Sequence, residues 1–372
     1  MPEAAFIVQL DDFQGFIVKS RYPTTLALTE KVLNLVFYEH QKGKHEELKF
    51  SEDIEGMRIA SFSMESRPGW SVNFVLGLDE VFDNLRTELA GMGRFILELI
   101  ETDPEAVEID KVLAKGSILP PPNEEQRTAG IFLTPSAALL LERLQAEGTE
   151  STAKLSLWLK NQVQSDDVDI REAIAPLMDS GLVIVEIEGK TAETAYLVKD
   201  VFGHRAPPVS SFTRAESIYP TLIDQYRQYI KSFFSPEPPA RGYNPTIPVD
   251  DPNSPLMEDR EKISKVLSNS IQYAVLQTLR EQPLSVTEIA DRTSFPESVV
   301  QSALWTLEEN RIVARFEVSG VWGLVTNPVM EVFMPEYVLF IIAQKMEEKK
   351  ISQASARRYL QLLIETWSEQ SD

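Results

Sequence analysis

Apolar and polar residues alternate over residues 4 to 10 and again over 15 to 20, either side of Asp11-Asp12-Phe13-Gln14-Gly15. That alternation predicts two strands joined by a tight turn. From Thr24 to Tyr38 the spacing turns helical, with Leu28, Val32, Leu35 and Val36 on one stripe and Thr24 or Thr25 as the expected N-cap. Three extended segments follow, near Glu47 to Ser51, Gly56 to Glu65 and Trp70 to Leu78. In the last, Trp70, Val72, Phe74 and Leu76 share one face and Ser71, Asn73 and Gly77 the other, the pattern of a strand with one face packed. Between Asp79 and Ile100 the residues Phe82, Leu85, Leu89, Met92, Phe95, Ile96 and Leu99 line one side of a helix, and a shorter helix over Ala106 to Ala114 closes the unit.

Residues 1–116 thus run strand, strand, helix, three strands, helix, helix, which implies an antiparallel sheet with helices packed against it. This is the order of the longin fold; the related roadblock modules begin with a helix instead. Pro120-Pro121-Pro122 and the polar residues after it mark 117–130 as a Pro-rich linker. Residues 131–202 then give three helices, one entered through Thr134-Pro135, followed by two strands around Gly189-Lys190, the order of a winged helix. The order recurs over 258–330, with helices at about Glu261 to Arg280, Val286 to Thr293 and Glu297 to Asn310, and strands around Ser319-Gly320. Asp179-Ser180-Gly181-Leu182-Val183 and Glu309-Asn310-Arg311-Ile312-Val313 occupy equivalent places, as in a degenerate duplication.

Residues 203–257 read as a Pro-rich connector with one helix, from about Arg214 to Phe234, and 331–372 as C-terminal helices. In the latter, Val338, Phe340, Ile341 and Ile342 are too dense for a solvated helix. The expected fold class is α+β and multidomain: a longin-type α/β sandwich, two winged helices and C-terminal helices.

Composition narrows the chemistry. The 372 residues carry 36 Lys and Arg against 57 Asp and Glu, a net charge of -21, which repels phosphate backbones and anionic leaflets. With no cysteine, disulfides, thiolate nucleophiles and iron–sulfur ligation are excluded, and a reducing cytoplasm fits. Met1-Pro2-Glu3-Ala4 has neither the basic nor the apolar region of a signal peptide, and no apolar run approaches the ~20 residues of a spanning helix, so a cytoplasmic protein without a transmembrane segment is expected. Attachment to a membrane through a partner stays open.

Motifs of catalysis are missing: there is no phosphate loop, no complete Gly-x-Gly-x-x-Gly, no nucleophile elbow and no His-Glu-x-x-His. Gly91-Met92-Gly93 has Ile96 where a third glycine would stand, and helix packing accounts for it better than a cofactor. With only His40, His45 and His204, a histidine metal centre would need carboxylate help, His40 and His45 straddle a polar loop where exposure accounts for them, and Asp250-Asp251 sits in the Pro-rich connector, where acidic residues are solvated. No cofactor, no metal and no active site of the chain's own are expected.

Two winged helices raise the alternative of a nucleic-acid-binding transcription regulator. Against it, the first third helix carries Asp167, Asp169, Glu172 and Asp179 with only Arg171, and the second Glu297, Glu308 and Glu309 with only Arg311. Neither offers the cluster of Arg, Lys, Asn and Gln that grips phosphates and reads bases.

Within residues 47 to 100, Ile54-Glu55-Gly56-Met57-Arg58-Ile59, Ser66-Arg67 and Val72-Asn73-Phe74-Val75-Leu76-Gly77-Leu78 resemble the N-terminal domain of the nitrogen permease regulator-like proteins, part of a GTPase-activator complex in nutrient signalling. Asp12-Phe13 before Gly15 and the Pro-rich break ahead of a winged helix are similar too. The resemblance spans residues 1 to about 200 in order and pattern and reaches residue level only in the central strands. It implies a longin domain that dimerises with another longin or roadblock protein and acts on a Ras-like small GTPase. It further implies that Arg67 corresponds to the family's catalytic finger, although Pro68-Gly69 after it and about two extra residues before the strand glycine depart from the family pattern. The plain alternative for Arg67 is a surface arginine of a hairpin loop. A non-enzymatic regulator or scaffold acting on a small GTPase, with GTPase activation open to it, is therefore expected; a structural adaptor of a trafficking complex and the nucleic-acid-binding regulator are the alternatives.

Overall fold

In the computed structural model, which describes residues 2–11, 13–40, 47–64, 67–102, 109–165, 167–188, 192–235, 242–248, 251, 254–317 and 319–368, the N-terminal alternation forms β1 (Ala4–Asp11) and β2 (Gly15–Tyr22). Next come α1 (Glu30–His40), β3 (Glu47–Ile54), β4 (Met57–Ser63) and β5 (Trp70–Leu76). The strands make one antiparallel sheet in the order β2-β1-β5-β4-β3. Helix α1 begins later than its periodicity suggests. Thr29, not Thr24 or Thr25, supplies the cap, its Oγ1 accepting from Val32 N at 3.3 Å, while Leu26 N closes a turn on Pro23 O.

Strand β5 lies at the centre of the sheet and is buried on both faces, where its sequence suggested one. Ala4, Phe6, Val8, Ile59 and Val75 pack with Val32, Leu33 and Val36 of α1. On the other face Val72, Phe74 and Phe62 meet α2 (Phe82–Thr102), which buries Leu89, Met92, Phe95, Ile96 and Leu99. Ser61, Ser71 and Asn73 are buried polar residues of these strands, and Asn73 donates to Ser71 Oγ at 3.1 Å and Phe6 O at 3.3 Å. Helix α3 (Ile109–Lys115) follows; the start of the helix expected from Ala106 lies outside the described residues.

The stretch 117–130, expected as a linker, contains most of α4 (Glu124–Ile131). Asn123 and Gln126 form a capping box, which outweighs the three prolines before it. Then come α5 (Pro135–Glu147), β6 (Thr149–Ser151), α6 (Thr152–Val163), α7 (Ile170–Asp179), β7 (Val183–Glu188), β8 (Ala192–Leu197) and β9 (Asp200–Ala206). Residues 203–206, read as the start of a connector, are therefore strand. The single helix expected from Arg214 to Phe234 is α8 (Val209–Ile218), a 3-10 turn (Pro220–Leu222) and α9 (Ile223–Phe234), because Pro220 cannot continue α8.

A second break falls where one helix was expected from Glu261 to Arg280: α10 (Leu256–Ser268) and α11 (Ser270–Glu281) are separated by Asn269, which is extended and caps Gln272 N at 2.9 Å. The chain continues through α12 (Val286–Thr293), α13 (Glu297–Glu309), β10 (Val313–Phe316), β11 (Val321–Leu324), β12 (Asn327–Phe333), α14 (Tyr337–Glu347) and α15 (Gln353–Ser368). Val338 and Ile342 are buried, but Phe340 is 82% exposed, so the apolar run of α14 packs only in part.

The molecule is thus mixed α+β with small antiparallel sheets. It forms two compact units, each discontinuous in sequence: 1–121 with 209–226 and 269–324, and 122–208 with 227–268 and 325–372. One order of elements occurs twice, over 124–206 and 256–333: helix, helix, short strand or bridge, helix, helix, hairpin, strand. Within the second unit the two leading helices, α4 and α10, pack together, and the two closing strands, β9 and β12, pair antiparallel with Gly203 opposite Met330. Arg205 of β9 fastens this layer through a buried bidentate ion pair with Asp259 of α10, at 2.8 and 3.0 Å, and a 3.3 Å bond to Thr326.

Candidate functional site

Two loops meet at one end of the five-stranded sheet. In the β1–β2 turn, Asp11 Oδ1 accepts from the backbone N–H groups of Phe13 and Gln14, both at 2.9 Å, and these bonds, Gln14's foremost, hold the Asp11 carboxyl below the ordinary carboxylate range. Gly15, at φ +76°, lets the chain turn back. The turn presents Phe13 with 97% of its surface exposed.

The β4–β5 loop carries Arg67. Its N–H donates to Met64 O at 3.1 Å and its carbonyl accepts from Trp70 N at 3.2 Å, while Leu10 N of β1 donates to Gly69 O at 2.8 Å. Gly69 has φ +79°, a backbone conformation that favours glycine, while a Cβ there would meet Leu10 only at ordinary contact distance. Because Gln9 lies opposite Trp70 in the β1–β5 register, the Phe13 turn and the Arg67 loop sit on adjoining strands at the same sheet end. Arg67 is partly exposed and engaged within the chain. Lys19 lies 5.8 Å from the centre of the Trp70 ring, a second cation at this end. Asp12 and Ser66, named with these residues in the sequence, lie outside the described residues.

The opposite end of the sheet carries Arg58, Gly77 and Leu78 of the resemblance motifs, to which the sequence assigned no role. There Arg58 Nη1 donates to Gly77 O at 2.6 Å and to Glu80 O at 2.9 Å, and Gly77 N donates to Glu80 Oε2 at 2.8 Å, leaving Leu78 92% exposed.

Other sequence candidates have structural places. A Cβ on Gly93 would fall 2.5 Å from the Phe62 ring, and one on Gly91 3.0 Å from Ile118 Cβ, so both glycines admit close neighbours to α2. The side chain of His40 is not described, and His45 and Asp250 lie outside the described residues. His204 is on β9, its Nε2 4.0 Å from Glu331 Oε2, and Asp251 closes a turn on Pro248 O. Among the described residues no three His, Cys, Asp or Glu side chains gather as a metal site would require, and no helix is long and apolar enough to cross a membrane. The acidic third helices are α7, capped by Asp169, and α13, on which Trp305 is 58% exposed. Sequence reasoning passed over Trp305, although it falls outside the apolar stripe of Val299, Val300, Ala303, Leu304 and Leu307.

The chain matches no protein-family model, no curated protein and no solved structure.

Proposed function

We propose that this chain is a cytoplasmic regulatory or scaffold protein that works through protein contacts on a Ras-like small GTPase and supplies Arg67 to that partner's nucleotide site. In this reading residues 1–116 are a longin-type platform and the two repeated segments are winged helices used for docking. A second longin or roadblock protein pairs with the platform, and membranes are reached only through partners. What carries the proposal is one juxtaposition: the Arg67 loop and the fully exposed Phe13 turn, both marked by the resemblance, share one end of the sheet. An arginine on a loop pinned to a neighbouring strand can enter a partner's site with little loss of freedom, and its planar guanidinium neutralises charge developing on a transferred phosphoryl group. Phe13 beside it offers an apolar anchor of the kind that dominates protein interfaces. Nucleic acid is left out of the partner set because both third helices are acidic.

The test is photo-crosslinking with benzoylphenylalanine in place of Phe13, and, as a control, in place of Leu78 at the other sheet end, in native cytoplasm followed by mass spectrometry. A small GTPase captured from position 13 and not from position 78 is the expected result. Capture of no GTPase from position 13, or equal capture from both, overturns the placement.

A further inference from the structure

The outward face of α13 is not accounted for by the packing of that helix. Ala303, Leu304 and Leu307 are buried, as are Ala173, Ile174 and Leu177 at the equivalent positions of α7. Trp305 stands between them on the outer side, 58% exposed, where α7 has Ala175. The same fold is completed elsewhere in this chain without an indole, so Trp305 is not there to fill a core. No ring or cation contact to it occurs among the described residues.

Its surroundings select a partner. One turn towards the helix end, Glu308 and Glu309 are exposed, and neither carboxylate has an ion-pair partner among the described residues. They sit at the C-terminus of α13, the negative end of the helix dipole. One turn back Gln301 and Ser302, and two turns back Ser298, are uncharged. Arg311 and Arg315 are the next guanidiniums along the sequence, in a chain of net charge -21. An exposed indole is the best aromatic platform for a cation, and guanidinium stacks on it as a plane while its edge still reaches carboxylates.

We propose that the outer face of α13 is a docking site for an arginine-bearing segment of a protein partner, its guanidinium stacked on Trp305 and held by Glu308 and Glu309. The proposal is independent of whether that partner is a GTPase.

The probe is a fluorescein-labelled peptide of alternating alanine and arginine, compared with its alanine–lysine and alanine–glutamate counterparts, and binding to the full chain is read by fluorescence polarisation at low and physiological salt. Trp305→Ala should weaken the arginine peptide by about ten-fold, and Trp305→Phe by less. Glu308→Gln with Glu309→Gln should weaken it too and flatten its salt dependence. The lysine peptide should bind more weakly, and the glutamate peptide not at all. Trp305 is exposed, so both Trp305 variants are expected to fold, and circular dichroism checks this; the milder Phe variant remains if Ala fails. Unchanged affinity in folded Trp305 variants overturns the proposal, as does equal binding of the lysine peptide. Sedimentation showing that the chain self-associates through Trp305 overturns it as well, since the occupant would then be a second copy.

Discussion

The two repeated segments, 124–206 and 256–333, share an order of elements and differ in how each is finished. In the first, α5 ends at Gly148 in a positive-φ conformation with Val338 packed over it, and β6 adds a third strand to the hairpin. In the second, α11 ends at an extended Gln282, and a single bridge between Leu284 and Trp322 replaces that strand. Yet one device is common to both. The carbonyl closing the second hairpin strand, Leu197 or Leu324, accepts from a buried tyrosine outside the segment, Tyr359 of α15 or Tyr226 of α9, each at 2.8 Å. A hairpin end buried in a domain must have its carbonyl satisfied, and the chain met that need once from its C-terminal helix and once from the stretch read as a connector. The outer faces diverge most, with Ala175 on one and Trp305 on the other.

The sharpest break in the comparison is expected at the C-terminal ends of α5 and α11. A Cβ at Gly148 would fall 2.4 Å from Val338 Cγ1 at a backbone angle that disfavours side chains. Gly148→Ala should therefore cost about 3 kcal/mol in urea unfolding, whereas Gln282→Ala should stay within about 0.5 kcal/mol.

The tyrosines should behave alike. Tyr226→Phe and Tyr359→Phe each leave a buried carbonyl without its donor and should cost about 1 to 2 kcal/mol. Burial raises both phenol pKa values, that of Tyr226 to about 12 from an ordinary 10.0. A raised pKa means that the folded state holds the proton more tightly, so this contribution is complete below pH 10 and is lost as pH rises towards 12. The loss of stability on alkaline titration should therefore be shallower in Tyr226→Phe than in the native chain.

The smallest effect lies at the turns after the third helices. Leu182 N bonds Leu177 O at 3.0 Å and Ile312 N bonds Leu307 O at 2.9 Å, but the left-handed residue is Gly181 in one turn and Arg311 in the other. Nothing lies within 4 Å of a Cβ at Gly181, so Gly181→Ala should cost only its backbone strain, about 1 kcal/mol, and Arg311→Gly should gain a similar amount, both read from the thermal midpoint.

What could be read from the sequence follows from the range of the interactions. The first hairpin, the three later strands and α2 are set by local periodicity and appear where expected. The start of α1 is not, since periodicity does not choose among Thr24, Thr25 and Thr29; only the hydroxyl that reaches a backbone N–H decides. The break at Asn269 interrupts one residue of an otherwise continuous helical pattern, and α4 hides behind three prolines although Asn123 and Gln126 already spell its cap. The pairing of β9 with β12 joins residues more than 120 positions apart, for which no local pattern exists. At the site, Arg67 was found through family likeness, but its place beside Phe13 depends on β1 pairing with β5. Trp305 was within reach of a helical projection and was missed because the acidic residues around it drew the reading towards charge alone.

The central claim, that Arg67 acts on a bound small GTPase, is tested most directly by single-turnover GTP hydrolysis on the co-purified GTPase with native, Arg67→Ala and Arg67→Lys chains. Stimulation should fall by roughly 10³ or more in Arg67→Ala with partner binding nearly unchanged, and Lys should not restore it, because an ammonium lacks the planar fork. Equal stimulation by all three chains would contradict the claim.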